Sequence, residues 1–143
     1  GVFRGEQLVA GYVIHNGPGF YLLDNVPEAD RAAWIAVNAA SDTCELSMIW
    51  RNRGISDVAF ALVVWPRIIL DCVTNGRRHI LGSSYDNPLN QRYQAAQPAM
   101  IYAGPSLVHG RQNFIYAYTR PKLVATFFVN FAGKFLGRQR RPA

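Results

Sequence analysis

The sequence predicts an all-β fold, a single-domain antiparallel β-sandwich, and three observations lead there. The 143 residues are enough for one domain with a core of its own. Half of them are hydrophobic and 17% are charged, a globular balance, and eight Phe and seven Tyr favour strands. About eight short apolar runs alternate with turn chemistry, which is the spacing of a sandwich or barrel.

Taken in order, Leu8 to Ile14 reads as a strand that stops at the His15-Asn16-Gly17-Pro18-Gly19 loop. Phe20 to Leu23 is a second short strand. Asn25 to Asp30 has proline and acids where a helix would start, yet Ala33 to Val37 suits a strand equally. Glu45 to Trp50 is a strand, closed by the polar turn Arg51-Asn52-Arg53-Gly54. Val58 to Trp65 is continuously apolar, as in a strand buried on both faces. After Pro66 the pattern resumes from Ile68 to Val73 and ends at the turn signal Asn75-Gly76. Arg77 to Leu81 follows. Gly82 to Gln97 is polar and reads as a long loop, Ala99 to Tyr102 as a short strand. Asn113 to Thr119 and Leu123 to Phe131 are strands rich in Phe, Tyr and Val.

Composition narrows the function classes. No apolar run reaches 18 residues, because Pro66 and Arg67 interrupt the longest, so no transmembrane helix is expected. No basic head with an apolar core opens the chain, which points to a cytoplasmic protein or one released without a visible signal peptide. The absence of an initiating Met implies processing or trimming. All nine acids lie at or before Asp86, so the remainder is purely cationic and most basic in the tail, residues 134–143. Such a tail can meet nucleic acid, but no reader motif accompanies it, so nucleic acid is not the expected partner. Cys44 and Cys72 have no metal spacing and read as buried thiols, and three scattered histidines, His15, His79 and His109, make no metal site. No metal or cofactor is expected.

Chemistry concentrates at Asp71-Cys72-Val73-Thr74-Asn75, where polar groups end an apolar run. Buried polar groups need partners, so this end is either a turn or a site. Arg92 lies in the following loop and Tyr102 on the next strand. A carboxylate, a hydroxyl, a guanidinium and a phenol suit a sugar, whose vicinal hydroxyls both donate and accept. A competing arrangement is a Cys/His hydrolase with Cys44 as nucleophile and His109 as base. No acid follows Asp86 to orient that histidine.

Four segments, in order, resemble the fungal fruit-body lectins, small β-sandwich proteins with the actinoporin-like fold. Gly1-Val2-Phe3-Arg4 followed by His15-Asn16-Gly17 is similar to the family's G-F-F-R-P and A-N-G-G elements. Asp71 to Asn75 resembles D-I-V-T-N, Arg92 and Tyr102 fall near its ligand-binding Arg and Tyr, and Gly110 to Thr119 resembles G-R-R-F-A-I-E-Y-T. The resemblance implies a non-catalytic lectin, residues 1–133, with a basic tail over 134–143. It implies that Asp71, Cys72 (through its backbone), Thr74, Arg92 and Tyr102 bind N-acetylglucosamine-type sugars. A second, galactose-type pocket would keep Asn16 and Gly17 but lacks the family's H-N-Y segment, replaced by Val64-Trp65-Pro66. The implied partners are glycans or glycoproteins, bound by a homo-oligomer, a tetramer by resemblance. The family's first strand has no counterpart before Gly1, and the chain beyond Thr126 could supply that edge. A structural capsid-like sandwich subunit is the alternative. Pore formation is disfavoured, since residues 1–14 show no amphipathic helix.

Overall fold

The computed structural model describes residues 1–136, with the side chains at positions 88, 89, 92 and 130–136 outside the description. The expected sandwich is not what the chain forms. It builds one mixed six-stranded sheet with helices on it. The strands are β1 (Val2–Arg4), β2 (Gln7–His15), β3 (Thr43–Arg51), β4 (His79–Tyr85), β5 (Ala99–Pro105) and β6 (Gln112–Thr119). Their order across the sheet is β1-β2-β3-β4-β6-β5, and only β3 and β4 run parallel.

That parallel pair accounts for the largest difference from the expected fold. Parallel neighbours need a long crossover, usually helical. Here it is one helical run over 57–74: α2 (Asp57–Ala59), a π-helical stretch (Phe60–Val64) and α3 (Trp65–Thr74). The residues it buries are Ala61, Val64, Ile68, Ile69 and Cys72, spaced three or four apart where not adjacent, as on one helix face. The apolar run looked like a doubly buried strand because Leu62, Val63 and Leu70, which face outward, are apolar too. Pro66 sits in the first turn of α3, directly after the π stretch. The wider π turn accommodates a ring that would otherwise meet the carbonyl four residues back. The run ends at Asn75, and Gly76 takes φ 87°. The Asn75-Gly76 signal therefore marks a helix C-terminus, not the end of a strand.

Three further segments differ from expectation. Phe20 to Asn25 is a turn with a 3-10 segment (Leu23–Asn25), and the ambiguous stretch after it is helical, α1 (Glu28–Val37). The loop expected over 82–97 holds the second half of β4, as far as Tyr85, and α4 (Pro88–Gln94). The last expected strand lies within α5 (Arg120–Leu136), and residues 137–143 of the basic tail are outside the described residues.

Two cores lie on opposite faces of the sheet. On one, Ile68, Ile69 and Cys72 of α3 and Leu123 of α5 meet Ala10, Cys44, Leu46, Ile80, Tyr116 and Tyr118. On the other, Phe20, Leu22, Leu23 and Val26 cover Leu81, Ile115 and Ala117, with Trp34 of α1 alongside. Ile80 and Leu81, like Tyr116 and Ala117, thus divide between faces, as the period of two requires.

Candidate active site

The sheet has one weak seam. β3 and β4 pair only through Thr43–His79, Cys44–Ile80 and Glu45–Leu81. Beyond Glu45, β3 stays with β2, and beyond Leu81, β4 stays with β6. The two half-sheets therefore part at Glu45 and Leu81, an opening in the hydrogen-bonded sheet toward the carboxyl ends of the parallel strands. The register of β2 and β3 shifts between Gly11 and Val13, and Met48 on β3 takes φ 49°. That left-handed conformation is uncommon for a side-chain-bearing residue and bends the strand where a functional site can use it.

Glu45 lies at the vertex and is 1% exposed. Its Oε2 accepts the Leu22 N–H at 2.9 Å. Burial pushes its pKa above the usual glutamate range, opposed by the Leu22 N–H, the Ser47 hydroxyl and the His15 charge, and helped by Asp24. A buried carboxylate raised in this way is a proton acceptor held closer to working pH. It shares its face of the sheet with the Phe20–Val26 cover, because Cys44 and Leu46 turn the other way.

At the carboxyl end of β3 the chain turns into the long helical run. Asn52 N–H donates to the Val9 carbonyl at 2.9 Å, and Gly54 N–H to Asn52 Oδ1 at 2.7 Å. A Cβ on Gly54 would lie 2.9 Å from both Asn52 Oδ1 and Val9 Cγ1, so the turn is built around a glycine. Ser56 caps the helix, its Oγ accepting the Ala59 N–H at 3.2 Å. Arg51 pairs with Asp57, and Arg53 is exposed. A capped helix start after a glycine turn, flanked by arginines, is suited to an anionic group.

The residues singled out from the sequence lie elsewhere. Asp71 is on α3, and its carboxylate accepts from Tyr12 Oη at 2.5 Å and from Arg67 Nε at 3.0 Å. Burial and Asp71 together push the Tyr12 phenol up to about 12. Cys72 is fully buried in the helix-side core, its thiol pushed up to about 12 by burial. Thr74 Oγ1 donates to the Leu70 carbonyl at 2.8 Å. Tyr102, on β5, packs against the opposite core and donates to the Pro105 carbonyl at 2.9 Å. Arg92 is on α4, its side chain outside the described residues. Asn16 and Gly17 follow β2 directly. Cys72 and Tyr102 are thus in different cores, on opposite faces of the sheet.

The hydrolase pair is also separate. Cys44 is buried among the helix-side residues, with its thiol raised to about 11 by burial, the reverse of an activated nucleophile. His109 sits in the β5–β6 turn, its backbone N–H donating to Ser106 Oγ at 3.4 Å. Among the described residues, no group of three or more side chains could hold a metal ion, and no helix is long and apolar enough to cross a membrane.

No protein-family model and no curated protein matches the sequence. Among solved structures the chain is similar to FeeM, an N-acyl amino acid synthase from uncultured soil microbes, with a TM-score of 0.67 at 16% identity, over 88% of this chain and 74% of that one. A GCN5-related N-acetyltransferase from Brucella melitensis aligns over 64% of this chain and 45% of that one, at 12% identity and a TM-score of 0.43. The fold is that of the FeeM structure. This overturns the actinoporin-like sandwich, and with it the lectin reading, the glycan partners and the tetramer inferred from them. The capsid-like sandwich falls for the same reason. The expectation of a non-enzyme rested on that resemblance and falls too.

Three groups carry no site role in the sequence pattern: Glu45 within a strand, His15 in a Gly-Pro loop, and Arg51 to Gly54 in a polar turn. A signal was present. Glu45 alternates with Cys44 and Leu46, so it faces away from one core toward a second that has to accommodate it.

Proposed function

We propose that the protein is an N-acyltransferase that moves an acyl group from a thioester to an amine. The observation that carries this reading is Glu45, a buried carboxylate of raised pKa at the vertex of the opening between β3 and β4. The fold shared with FeeM supports it. The acyl thioester enters the opening, where β3 beyond Glu45 has no strand partner on β4. An anionic carrier such as coenzyme A places its phosphates at the Gly54–Ser56 helix start near Arg53. The amine approaches from the Phe20–Val26 face. Glu45 accepts the amine proton as nitrogen attacks the thioester carbonyl. The C–N bond forms, the C–S bond breaks, and the thiolate leaves. The FeeM likeness makes an amino acid the first acceptor to try.

The test is thiol release from a series of acyl-coenzyme A thioesters in the presence of a panel of amino acids. Wild type should release thiol and form the amide. Glu45→Gln should lose about 10²–10⁴-fold in kcat, the usual contribution of a general base. No amide with any pair, or full activity in Glu45→Gln, would overturn the reading.

A further inference from the structure

A proton taken by Glu45 needs a way out, because Glu45 is buried and substrate would fill the opening beside it. One titratable group lies on the route. His15 and Glu45 are register partners across β2 and β3. Directly opposed residues of an antiparallel pair project to the same face, with Cβ atoms about 5 Å apart. His15 is exposed where Glu45 is not. Its ring is confined from two sides. It stands edge-on to Phe20 with centroids 6.3 Å apart. Gly17 closes against it so tightly that a Cβ there would lie 2.6 Å from Nε2.

We propose that His15 is the proton outlet of Glu45, with Gly17 and Phe20 holding its ring in place. This rests on the acyltransferase reading. Glu45 takes the amine proton as the C–N bond forms and the C–S bond breaks. The carboxylic acid then hands that proton to the free imidazole nitrogen, and the imidazolium releases it to water. The departing thiolate takes a proton from water, so amine and thioester become amide and thiol. His15 touches no substrate atom and acts through Glu45, so it is a positioning residue.

The other groups facing Glu45 are few. The covering turn brings the Leu22 N–H and Asp24, and Asp24 is tied to Arg31 of α1 at 3.2 Å. β3 adds the Ser47 hydroxyl. β4 opposes Glu45 with Leu81, which carries no charge. The His15 charge favours the Glu45 carboxylate and Asp24 opposes it.

Two readouts test the outlet. The first needs no substrate: a carboxyl ¹³C NMR titration of Glu45 in wild type, His15→Gln and Gly17→Ala. The interaction with His15 lowers the Glu45 pKa, so the Glu45 midpoint should move upward in His15→Gln, and in Gly17→Ala it should move as the ring is displaced. The second is acyl transfer. In His15→Gln, kcat should fall about tenfold or more with the thioester KM unchanged. The acid limb of kcat/KM should move to higher pH, and free imidazole in the buffer should restore turnover. An unmoved Glu45 midpoint, or a loss of turnover that imidazole does not restore, overturns the outlet. If wild type transfers no acyl group, the acyltransferase reading fails and the outlet with it. If Glu45→Gln is inactive while His15→Gln keeps wild-type turnover and pH profile, the outlet alone fails.

Discussion

Glu45 carries a conflict that a single substitution exposes. Burial holds its pKa above the ordinary 4.5, so the folded state prefers the protonated carboxyl. A group whose folded pKa is raised stabilises the fold fully below its unfolded value, and that contribution is lost as pH rises through the folded pKa. At neutral pH, above the unfolded value, that contribution is reduced and burying Glu45 opposes folding. Glu45→Gln removes the charge and keeps an oxygen for the Leu22 N–H. The variant should be more stable than wild type in urea at pH 7, and the gap should close as pH falls below 4.5. The same variant is the one expected to lose catalysis, the trade found where an active site holds a group the fold would rather neutralise. Equal stability at both pH values would show that Glu45 is not strained by burial. Asp71, the acid that stood out in the sequence, shows the contrast. It is satisfied by Tyr12 and Arg67 and ties β2 to α3. A polar group after an apolar run suits a ligand site, but the Asp71 partner Tyr12 lies 59 residues away, and no local pattern reveals such a pair.

At the scale of elements, the β3–turn–helix unit makes the next prediction. Gly54 leaves no room for a side chain between Asn52 and Val9. A larger residue has to push the turn outward, away from the helix start capped by Ser56. Gly54→Val should raise the KM for a coenzyme A thioester several-fold and change it much less for a thioester lacking the phosphates. The measurement is steady-state kinetics with the two donors side by side. Equal effects on both would remove the turn from anion binding. β3 and β6 were legible in sequence, because period-two alternation there separates two apolar faces, whereas β4 was not, since Gly82 to Tyr85 are polar or small and read as the start of a loop. The helical run over 57–74 was not. Its outward face carries Val58, Leu62, Val63 and Leu70, so the helical period was hidden under uniform hydrophobicity, and length was the better arbiter. α5 was lost the same way, with Phe127 and Phe128 adjacent.

At the scale of the whole molecule, the sheet is two three-stranded halves, β1-β2-β3 and β4-β6-β5, joined by three residue pairs. The sequence held the pieces of this seam but not its existence, since parallel pairing between segments more than thirty residues apart leaves no local mark. The remaining connection runs through the layers on the two faces, where Cys44 and Leu46 of one half and Ile80, Tyr116 and Tyr118 of the other contribute to one core with α3. Such an architecture keeps the halves in place while the inner edges beyond Glu45 and Leu81 carry no β3–β4 ladder among the described residues. Under the proposed acyl transfer, those edges are where an extended acyl carrier would add its own hydrogen bonds, as a strand would. Amide hydrogen exchange measured with and without a coenzyme A thioether, which cannot transfer its chain, reads this directly. Bound ligand should slow exchange in β3 from Leu46 onward, in the Gly54–Ala59 helix start and along β4 from Gly82. The outer strands β1 and β5 should exchange as before. Protection confined to the outer strands, or spread evenly over all six, would place the thioester somewhere other than the seam.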